Sequence, residues 1–552
     1  MNSERTVASA MLDMAAAEGI HAVFGLPGVH NLAFWSSAAA VRVIGVRHEQ
    51  AAVYAADGYA RATGRLGIAF STTGPGALNG AAAFGEAWAS GSPLLFIASD
   101  VSTALRSPDG PRGILHEMAD QAAPFAAFGC RAVTAGSPAQ ALAEVAGALA
   151  RARTTPGSPT YLGVPSDILA APWVDDSATL PDVSGEPPPA TRPDPEALAA
   201  LAALVDQAPR VVIWAGGGVT QCGDDGERAL ARVAERLGAP VVTTYAGRGV
   251  MAGHPLAVES SVHEPEVGAL IRDADLLLVV GSGFDAMNTK NWKMPMPAHR
   301  AAIGLGAELR RTVEWDVLVA ADLVATLEAL EATLVGEARP PWHDAHLRQR
   351  IRTRVAADPR TAQAVAFVEA VETWPAEGVI VTDMCIPGYW TSSHAVQPRR
   401  RRLLNPVGWG TLGFALPAAI GPAAAGIPTL AVCGDGGPMF GLGELATYVQ
   451  ERLPITLVVV DDGGYGMLRF DQQVLGHAAS GVDLVTPDWG TLAAAFGIPF
   501  AEVDDSQGLT EALRQSAASA GPSLILQRAA FYPPASSSPR WFEADPGPRE
   551  TA

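Results

Sequence analysis

The sequence predicts an α/β protein made of three doubly wound parallel-sheet domains. The chain has 552 residues, which is too long for a single hydrophobic core. Short apolar runs rich in Val, Ile and Leu alternate with Ala-rich segments of helical spacing, as in βαβ units. Hydrophobic residues make up 48% of the chain and charged residues 17%, so large apolar surfaces can be buried.

The first domain is predicted over residues 1–175. A helix from Thr6 to about Gly19 precedes the strand-like run HAVFGLPG, which closes with turn residues. Three further strand-like runs, VRVIGV, LGIAFST and SPLLFIAS, alternate with the Ala-rich helical segments EQAAVYAADGYARATG and GALNGAAAFGEAWASG. The stretch over 171–198 is dense in Pro, Asp and Ser and lacks periodicity, which indicates a linker.

The same alternation predicts a central α/β domain over 195–335 and a third domain over 350–535. The central domain has the strand-like runs RVVIWAGGG, APVVTTYAG and ADLLLVVGSG. The third domain has GVIVTDM, PTLAVCGDGG and PITLVVVDDGG, with the helical segment ELATYVQERL between the last two. The Pro- and Ser-rich tail over 536–552 could form an arm or a lid, or remain disordered.

The composition argues against several classes of partner and site. The formal net charge of −19 predicts no nucleic-acid or anionic-membrane partner, because either would be repelled. We find no signal-peptide pattern and no uncharged apolar stretch of about 20 residues, so we expect a cytoplasmic protein without a membrane span. Four well-separated cysteines without a CxxC pair predict neither a disulfide framework nor a zinc site: Cys130, Cys222, Cys385 and Cys433.

Two acidic, glycine-rich clusters follow neighbouring strand-like runs of the third domain. Asp435 lies in the cluster GDGG at the end of one run, and Asp462 lies in DDGGYG at the end of the next. The two residues are 27 positions apart, which is room for a turn, a helix and a returning parallel strand. Open α/β sheets bind ligands at the carboxyl edge, where both side chains would face one site. Carboxylates plus a backbone carbonyl suit Mg²⁺ or Ca²⁺, and phosphate oxygens usually complete a magnesium site.

The glycines of these clusters would let the backbone approach a diphosphate group closely, and N–H groups at the next helix start would add an anion site. Asp and Gly also end strands in ordinary turns, so a single GDG would carry little weight. The second cluster at this spacing favours a site for a metal ion and a diphosphate.

The same segment resembles a known cofactor motif. GDGG followed by ELATYVQERLPITLVVVDDGGYG is similar to the thiamine-diphosphate (ThDP) motif of the acetolactate synthase and pyruvate decarboxylase superfamily. In the first domain, VRHEQAAVYAADGYARATG resembles the segment with the cofactor-activating glutamate, and STTGPGALNG resembles the Gly-Pro-Gly loop after it. In the third domain, NPVGWGTLGFALPAAIG resembles the segment that grips the aminopyrimidine ring. The likeness extends over nearly the whole chain.

The resemblance implies a pyrimidine-binding, a middle and a diphosphate-binding domain, with ThDP and Mg²⁺ as cofactors. It assigns Glu49 to the pyrimidine ring nitrogen, where a buried carboxyl group promotes loss of the proton from the thiazolium carbon. The implied metal ligands are Asp435, Asp462 and the carbonyl group of Gly464. The implied cofactor-binding residues are Gly28, Glu49, Thr73, Gly410, Leu412, Gly434, Asp435, Gly436, Gly437, Asp462, Tyr465, Gly466 and Met467.

The resemblance also implies how the cofactor is held. Leu412 stands where the family places a bulky apolar residue beneath the cofactor, and the Gly410 carbonyl and the Leu412 N–H would hold the pyrimidine edge. Glu49 and the metal site lie in different domains, which in the family come from different subunits, so a homodimer or a homotetramer is implied. Without this context, Glu49 could be a helix-start acid and Leu412 could be ordinary core.

On the substrate side, GILHEMADQ resembles the loop that reaches the cofactor in the family. It makes His116 and Glu117 candidate catalytic residues, since His is a natural proton shuttle near neutral pH. His116 could instead be an ordinary exposed residue, and Asp120 and Gln121 are weaker candidates. Acetolactate synthases carry Gln at the position of His116.

Several residues depart from the best-known branches of the family. Asp461 and Asp462 stand where the family usually has Asn. Asp462 keeps a hard oxygen ligand but adds negative charge beside the diphosphate, which weakens cofactor binding unless a cation compensates. Leu468 stands where the pyruvate decarboxylase branch has a catalytic Glu, and Asp471 where acetolactate synthases have Trp. Arg469 and Asp471 could meet a polar substrate or lie on a solvated helix face.

The main functional hypothesis is a ThDP- and Mg²⁺-dependent decarboxylase or carboligase that acts on a 2-oxo acid through a ylid and an enamine. An aldehyde or a second oxo acid could be the acceptor, and an acetolactate synthase proper is the alternative enzyme. The middle domain could hold FAD at WAGGGVTQCG, as in a flavin-dependent oxidase, but the incomplete dinucleotide spacing favours a structural domain. A non-catalytic ThDP-binding relative stays open because of Asp461 and Asp462.

Overall fold

A computed structural model of the chain describes residues 5–36, 41–153, 157–173, 190–306, 309–406 and 408–537. These residues form three parallel β-sheets flanked by helices, which confirms the predicted α/β class. The strands are β1 (Ala22–Gly25), β2 (Arg42–Gly45), β3 (Gly67–Ser71), β4 (Leu94–Asp100), β5 (Arg131–Thr134), β6 (Thr160–Pro165), β7 (Val211–Ala215), β8 (Val241–Thr243), β9 (Leu276–Val280), β10 (His299–Ile303), β11 (Val317–Val319), β12 (Val379–Thr382), β13 (Leu403–Leu404), β14 (Thr429–Gly434), β15 (Ile455–Asp461), β16 (Phe500–Val503) and β17 (Ser523–Arg528).

The helices cover both faces of the sheets, and none of those described has the length and apolar composition needed to cross a membrane. They are α1 (Val7–Ala17), α2 (Leu32–Trp35), α3 (Glu49–Thr63), α4 (Pro75–Asn79), α5 (Ala81–Ala89), α6 (Ala123–Ala126), α7 (Pro138–Arg151), α8 (Ser166–Ala170), α9 (Pro195–Gln207), α10 (Gly217–Gln221), α11 (Gly223–Leu237), α12 (Pro265–Arg272), α13 (Leu309–Thr312), α14 (Leu323–Thr333), α15 (Leu347–Ala357), α16 (Ala362–Glu372), α17 (Ile386–His394), α18 (Ala415–Ala418), α19 (Ile420–Ala424), α20 (Glu444–Gln450), α21 (Gly466–Val474), α22 (Trp489–Phe496) and α23 (Ser506–Ala517).

The first and third sheets have the same strand order. The first runs β2-β1-β3-β4-β6-β5 and the third runs β13-β12-β14-β15-β17-β16. When the strands of each sheet are numbered from one in chain order, both orders read 2-1-3-4-6-5. The central sheet runs β11-β10-β9-β7-β8. Every residue of β4 and of β15 is buried, because helices cover both faces, and this is why such strands read as continuous apolar runs.

Most predicted elements are present, but one predicted helix is divided into two. The predicted helix before Gly19 is α1, but the predicted helix GALNGAAAFGEAWASG is two helices, α4 and α5, that meet at Gly80. A Cβ atom on Gly80 would lie 2.7 Å from the ring of Phe96. The two helices therefore meet where the backbone approaches a side chain of β4, a contact that helical periodicity cannot reveal.

The predicted linker and tail are only partly covered. Residues 174–189 of the linker and 538–552 of the tail lie outside the described residues. The start of the tail is described, and the Ser536 hydroxyl lies 2.7 Å from the Ser393 hydroxyl in a buried contact. This part of the tail therefore packs against the third domain.

Helix α3 joins the first domain to the third by packing against α18 and α19. A Cβ atom on Gly58 would lie 2.1 Å from the carbonyl oxygen of Ala418, and one on Gly421 would lie 2.1 Å from that of Ala55. Only glycine permits such a close backbone approach. The crossing fixes the position of α3, whose first residue is Glu49.

A buried ion-pair network lies beside this helix crossing. Arg61 donates to the Asp57 carboxylate at 2.8 and 2.5 Å and to the Asn405 carbonyl oxygen at 2.7 Å. Glu86, 3.5 Å from Arg61, also accepts a hydrogen bond from the Thr411 hydroxyl at 2.9 Å. Asp57 and Glu86 are fully buried, and burial raises the pKa of Glu86. One guanidinium group thus neutralises two carboxylates at the contact between domains.

Replacing Arg61 by Met is expected to destabilise the protein by about 3–5 kcal/mol, because the buried Asp57 and Glu86 lose their shared cation. Urea unfolding followed by tryptophan fluorescence measures the change. As a control, Arg210→Met removes an exposed pair with Asp275 and should cost less than about 1 kcal/mol. Equal stability of Arg61→Met and the wild type would contradict this role of the network.

Candidate active site

The acidic clusters of the third domain meet at the carboxyl edge of its sheet. The strands β14 and β15 pair in parallel with Gly434 opposite Val460. Asp435 therefore follows one strand beside Asp461, the last residue of the other, and Asp462 comes next. The pairing brings together the two clusters whose spacing predicted a common site.

Asp435 is a buried carboxylate without a partner. The residue is 0% exposed, and no group among the described residues donates a hydrogen bond to either carboxylate oxygen. Burial, together with the charges of Asp462 and Asp461, raises the pKa of Asp435 to about 7. A buried charge that faces two further carboxylates is costly unless a cation joins them. The arrangement fits a divalent metal ion.

Asp462 and the glycines that follow it form the second part of the candidate metal site. Gly464 has φ +149°, and a Cβ atom on it would lie 2.0 Å from the Val482 carbonyl oxygen. A Cβ atom on Gly466 would lie 1.9 Å from Oδ2 of Asp462. Within the described ranges, no three His, Cys, Asp or Glu side chains converge as a metal site. The predicted set of two carboxylates and one carbonyl would leave positions for diphosphate oxygens and water.

Asp461 has a different role from the two neighbouring carboxylates. It accepts hydrogen bonds from the Gly463 N–H at 3.0 Å and from Nε1 of Trp489 at 3.2 Å. It also accepts from the Thr486 hydroxyl at 3.3 Å and from Arg528 at 3.1 Å. These contacts use the Asp461 carboxylate to anchor the loop, so Asp461 is less available to a metal ion than Asp435 or Asp462.

Arg469 lies against the candidate metal site as a compensating cation. Arg469 belongs to α21. Its Nη1 donates to the Asp462 carbonyl oxygen at 3.2 Å and lies 3.8 Å from the Asp462 carboxylate. Its Nη2 donates to the Gly463 carbonyl oxygen at 3.1 Å, and its Nε pairs with Asp483 at 2.8 Å. Burial raises the pKa of Asp462, and Arg469 opposes that shift. Arg469 therefore offsets the negative charge that an Asp adds at position 462.

Replacing Arg469 by Gln is expected to weaken ThDP binding in the presence of Mg²⁺ about tenfold, because the Asp462 charge is then opposed only by the metal. The double variant Arg469→Gln with Asp462→Asn should recover most of the affinity. Quenching of tryptophan fluorescence during ThDP titration gives the dissociation constants, and Arg514→Gln on the distant helix α23 is the control. A double variant that binds no better than Arg469→Gln alone would rule out charge compensation.

The other predicted residues of this site pack around the strand ends. A Cβ atom on Gly436 would lie 2.6 Å from the ring of Tyr465, and one on Gly437 would lie 3.1 Å from the carboxylate of Asp383. Met467 is partly buried against the core. Larger side chains at these glycines would displace Tyr465 and Asp383, so the glycines are required by packing at the proposed diphosphate site.

The predicted pyrimidine-binding segment is held by a carboxylate that the sequence did not single out. Asp383, which follows β12 and is buried, accepts hydrogen bonds from the N–H groups of Gly413 at 2.9 Å and Ala415 at 3.1 Å. Gly410 turns the chain with φ +77°, and Leu412 is partly buried. Asp383 therefore fixes the backbone that would grip the pyrimidine ring, and its only sequence signal was a strand ending in Asp.

Glu49 lies in the first turn of α3 and is 8% exposed. Its Oε2 accepts a hydrogen bond from Asn79 at 3.0 Å, and a Cβ atom on Gly76 would lie 3.2 Å from its Oε1. Just before it, the N–H of Arg47 donates to Glu444 of the third domain at 2.9 Å. The structure thus places Glu49 against the Gly-Pro-Gly loop.

The Gly-Pro-Gly loop is held by contacts with the first sheet and with Gln121. The Thr73 hydroxyl is buried 3.1 Å from that of Ser99, so any cofactor contact by Thr73 would come from its backbone. Gln121 accepts from the Gly74 N–H at 2.6 Å and donates to the Ser99 carbonyl oxygen at 2.9 Å. A Cβ atom on Gly28 would lie 2.5 Å from a side chain of this loop. Gln121, a weaker candidate, therefore acts by positioning the loop.

His116 and Glu117 lie on a segment that covers the same turn. His116 has a left-handed backbone with φ +67°, and its carbonyl oxygen would lie 2.4 Å from a Cβ atom on Gly74. Glu117 accepts hydrogen bonds from the N–H groups of Ile114 at 3.1 Å and Arg112 at 2.6 Å, which hold its pKa below the usual value. A carboxylate used in this way shapes its own segment and is poorly suited to donate a proton, so the geometry favours His116.

The structure does not join the two groups of predicted residues within one chain. Across the described ranges, no hydrogen bond or ion pair connects Glu49 with Asp435, Asp462 or Gly464. Glu49 contacts the Gly-Pro-Gly loop, and the acidic residues lie together at the carboxyl edge of the third sheet. We call these two groups of predicted residues the pyrimidine half-site, around Glu49, and the metal half-site, around Asp435 and Asp462.

The Gly-rich turn of the central domain has a packing explanation. A Cβ atom on Gly216 would lie 2.4 Å from the carbonyl oxygen of Gly281, and one on Gly218 would lie 2.9 Å from the Gly281 Cα. The turns after β7 and β9 therefore touch backbone to backbone. Close packing accounts for these glycines without a dinucleotide.

Comparison with known proteins identifies three family segments. The descriptions "Thiamine pyrophosphate enzyme, N-terminal TPP binding domain", "central domain" and "C-terminal TPP binding domain" match residues 5–124, 198–330 and 385–526. A probable 2-ketoarginine decarboxylase of Pseudomonas aeruginosa is 34% identical over 537 residues, which cover 94% of this chain and 93% of the relative. The acetolactate synthase isozyme 2 large subunit of Escherichia coli is 29% identical, with 92% and 93% covered. The chain therefore belongs to the thiamine pyrophosphate (ThDP) enzyme family, as its motifs predicted.

Proposed function

We propose that the chain is a ThDP- and Mg²⁺-dependent decarboxylase or carboligase that acts on a 2-oxo acid. The observation that carries the proposal is Asp435, a fully buried carboxylate without a partner that faces Asp462 at the carboxyl edge of the third sheet. In a member of this family, a divalent metal with a diphosphate is the ligand that satisfies such a pair. The names of the relatives, a decarboxylase and acetolactate synthases, support a 2-oxo acid as substrate.

The two half-sites would have different roles, one in binding the metal ion and the other in contacting the pyrimidine ring. Asp435, Asp462 and the Gly464 carbonyl would hold Mg²⁺, and Arg469 would balance the added charge. Bound ThDP supplies a carbon nucleophile and an electron sink for cleavage of the bond beside the carbonyl. Glu49, kept from water and oriented by Asn79, would hold a proton at the pyrimidine edge.

A second copy of the chain would complete the site. Large apolar side chains are exposed near both half-sites. Leu78 and Leu115 are exposed in the first domain, and Trp409 and Phe440 in the third. Burying these surfaces against a partner would exclude water from the cofactor. This supports a homodimer as the smallest active unit, or a homotetramer built from it.

Among 2-oxo acids, 2-ketoarginine is the first candidate, because the relative named for its decarboxylation is 34% identical, against 27–30% for the acetolactate synthases. Acetolactate synthesis is the second candidate. Retention of Glu49 and of the unpartnered Asp435 supports catalysis over a non-catalytic relative.

A substrate panel tests the proposed function. Purified chain with ThDP and Mg²⁺ is supplied with 2-ketoarginine, pyruvate and branched and aromatic 2-oxo acids, and CO₂ release is measured with and without an aldehyde acceptor. Free aldehyde as product indicates a decarboxylase, and a hydroxyketone indicates a carboligase. Absence of ThDP binding at millimolar cofactor would refute the proposal, and flavin absorbance of the pure protein would revive the FAD alternative.

A further inference from the structure

Two histidines lie in contact beside the Gly-Pro-Gly loop. The rings of His30 and His116 meet edge to face, with centroids 5.8 Å apart and an interplanar angle of 84°. His30 follows the predicted Gly28 by two positions on the loop between β1 and α2. Sequence reasoning singled out only His116.

Each ring has a polar atom that the protein leaves without a partner. Nδ1 of His30 and Nδ1 of His116 are both buried, and neither is hydrogen-bonded to any part of the chain that the structure describes. Both residues are only partly buried as a whole, so each ring borders open space on another side. Buried polar atoms in folded proteins are normally hydrogen-bonded, and two neighbouring atoms without hydrogen bonds cost stability. A buried Nδ1 atom without an acceptor favours the imidazole tautomer that carries its proton on Nε2, so each ring can donate a hydrogen bond from its other nitrogen.

A carboxylate near the pair, Asp100, already has partners of its own. Asp100, buried at the end of β4, pairs with Arg106 and accepts a hydrogen bond from the Val101 N–H at 2.7 Å. Burial and the neighbouring His116 lower the pKa of His30, and Asp100 partly opposes this shift. A neutral imidazole offers one donor and one acceptor. Protonation of two imidazoles in contact is disfavoured, because their positive charges would repel each other.

The pair lies close to the predicted pyrimidine half-site. The His116 carbonyl oxygen would lie 2.4 Å from a Cβ atom on Gly74, and Glu49 would lie 3.2 Å from one on Gly76, two residues further along the same turn. The left-handed backbone of His116, at φ +67°, is a strained conformation of the kind that clusters at functional sites. A substrate that reaches the cofactor beside Glu49 would therefore pass the two imidazoles.

We propose that His30 is a substrate-contacting residue which, with His116, forms a two-imidazole site for the carboxylate of the 2-oxo acid. The proposal rests on the proposed function. The Nε2–H of each residue donates to the carboxylate on the open side of the pair, while the buried Nδ1 atoms carry no proton. Because both rings bind one group, the contribution of each depends on the presence of the other.

Steady-state kinetics of four variants test the pair. His30→Leu removes the polar atoms, whereas His30→Gln keeps an amide donor, and His116→Leu and the double Leu variant measure the coupling. His21→Gln, an exposed histidine of the same domain, is the matched control. We expect KM for the 2-oxo acid to rise about tenfold in His30→Leu and to fall partly back in His30→Gln, while the dissociation constant for ThDP changes less than about twofold.

The outcomes separate this inference from the proposed function. A double variant that loses less than the product of the two single losses supports a shared carboxylate. Wild-type KM in His30→Leu, or a parallel loss of ThDP affinity in both His30 variants, would overturn the inference and leave the proposed function intact. A wild-type chain that binds ThDP but releases no CO₂ from any 2-oxo acid would overturn both.

Discussion

Glu49→Gln is expected to lower kcat at least about 100-fold while leaving the dissociation constant for ThDP nearly unchanged. The glutamine keeps the size of the side chain and a hydrogen bond with Asn79, but it cannot hold the proton at the pyrimidine edge. Glu49 is nearly buried and lies against the Gly-Pro-Gly loop, so water cannot readily replace it.

The control for this variant is Glu18→Gln, which alters a surface ion pair with Arg153 in the same domain and should leave kcat unchanged. ThDP affinity is read from fluorescence quenching and kcat from CO₂ release with the best 2-oxo acid. Full activity in Glu49→Gln would refute its catalytic role. Loss of ThDP binding in parallel with activity would make Glu49 a binding residue instead.

Asp435→Asn is expected to move two measurements in opposite directions. Above its pKa of about 7, the Asp435 carboxylate is an unpaired buried charge, so removing that charge should raise the melting temperature of the cofactor-free protein, by about 1 °C for each kcal/mol in a chain of 552 residues. The same variant should lose the further stabilisation that ThDP and Mg²⁺ give to the wild type, because a ligand of the metal is lost.

Asp461→Ala provides the matched comparison at the same sheet edge. Its carboxylate is bonded to Trp489 and Arg528, so the variant should melt below the wild type without cofactor. Differential scanning fluorimetry with and without ThDP and Mg²⁺ gives both values for each variant. A cofactor-free Asp435→Asn protein that melts lower than the wild type, and still responds to the cofactors, would contradict the metal-site assignment.

Local patterns in the sequence were sufficient to predict the sheets and the sheet edge at which the acidic clusters lie. Parallel strands buried on both faces leave an unmistakable apolar run, and the spacing of Asp435 and Asp462 allowed only one helix between them. The strand order was not predictable in this way, because pairing depends on contacts between distant segments. The shared order of the first and third sheets is therefore visible only in three dimensions.

The roles of individual polar residues depended on the same long-range contacts. Asp461 and Asp462 are adjacent in sequence, yet only Asp461 is hydrogen-bonded by Trp489 and Arg528, and Asp462 is the one proposed to bind the metal. Thr73 was predicted to bind the cofactor, but its hydroxyl turns toward the sheet. His30 carried no signal of its own, because its importance comes from a ring brought in from another loop.

The division of the active site between two chains is tested most directly by complementation. Glu49→Gln and Asp435→Asn chains with different affinity tags are co-expressed, and ThDP-dependent CO₂ release is measured on complexes that carry both tags. Each variant alone should be inactive. In a hybrid dimer one of the two sites keeps an intact Glu49 and an intact Asp435, so about half of the wild-type activity per dimer is expected. Hybrid dimers that form but remain as inactive as either parent would contradict a site shared between chains.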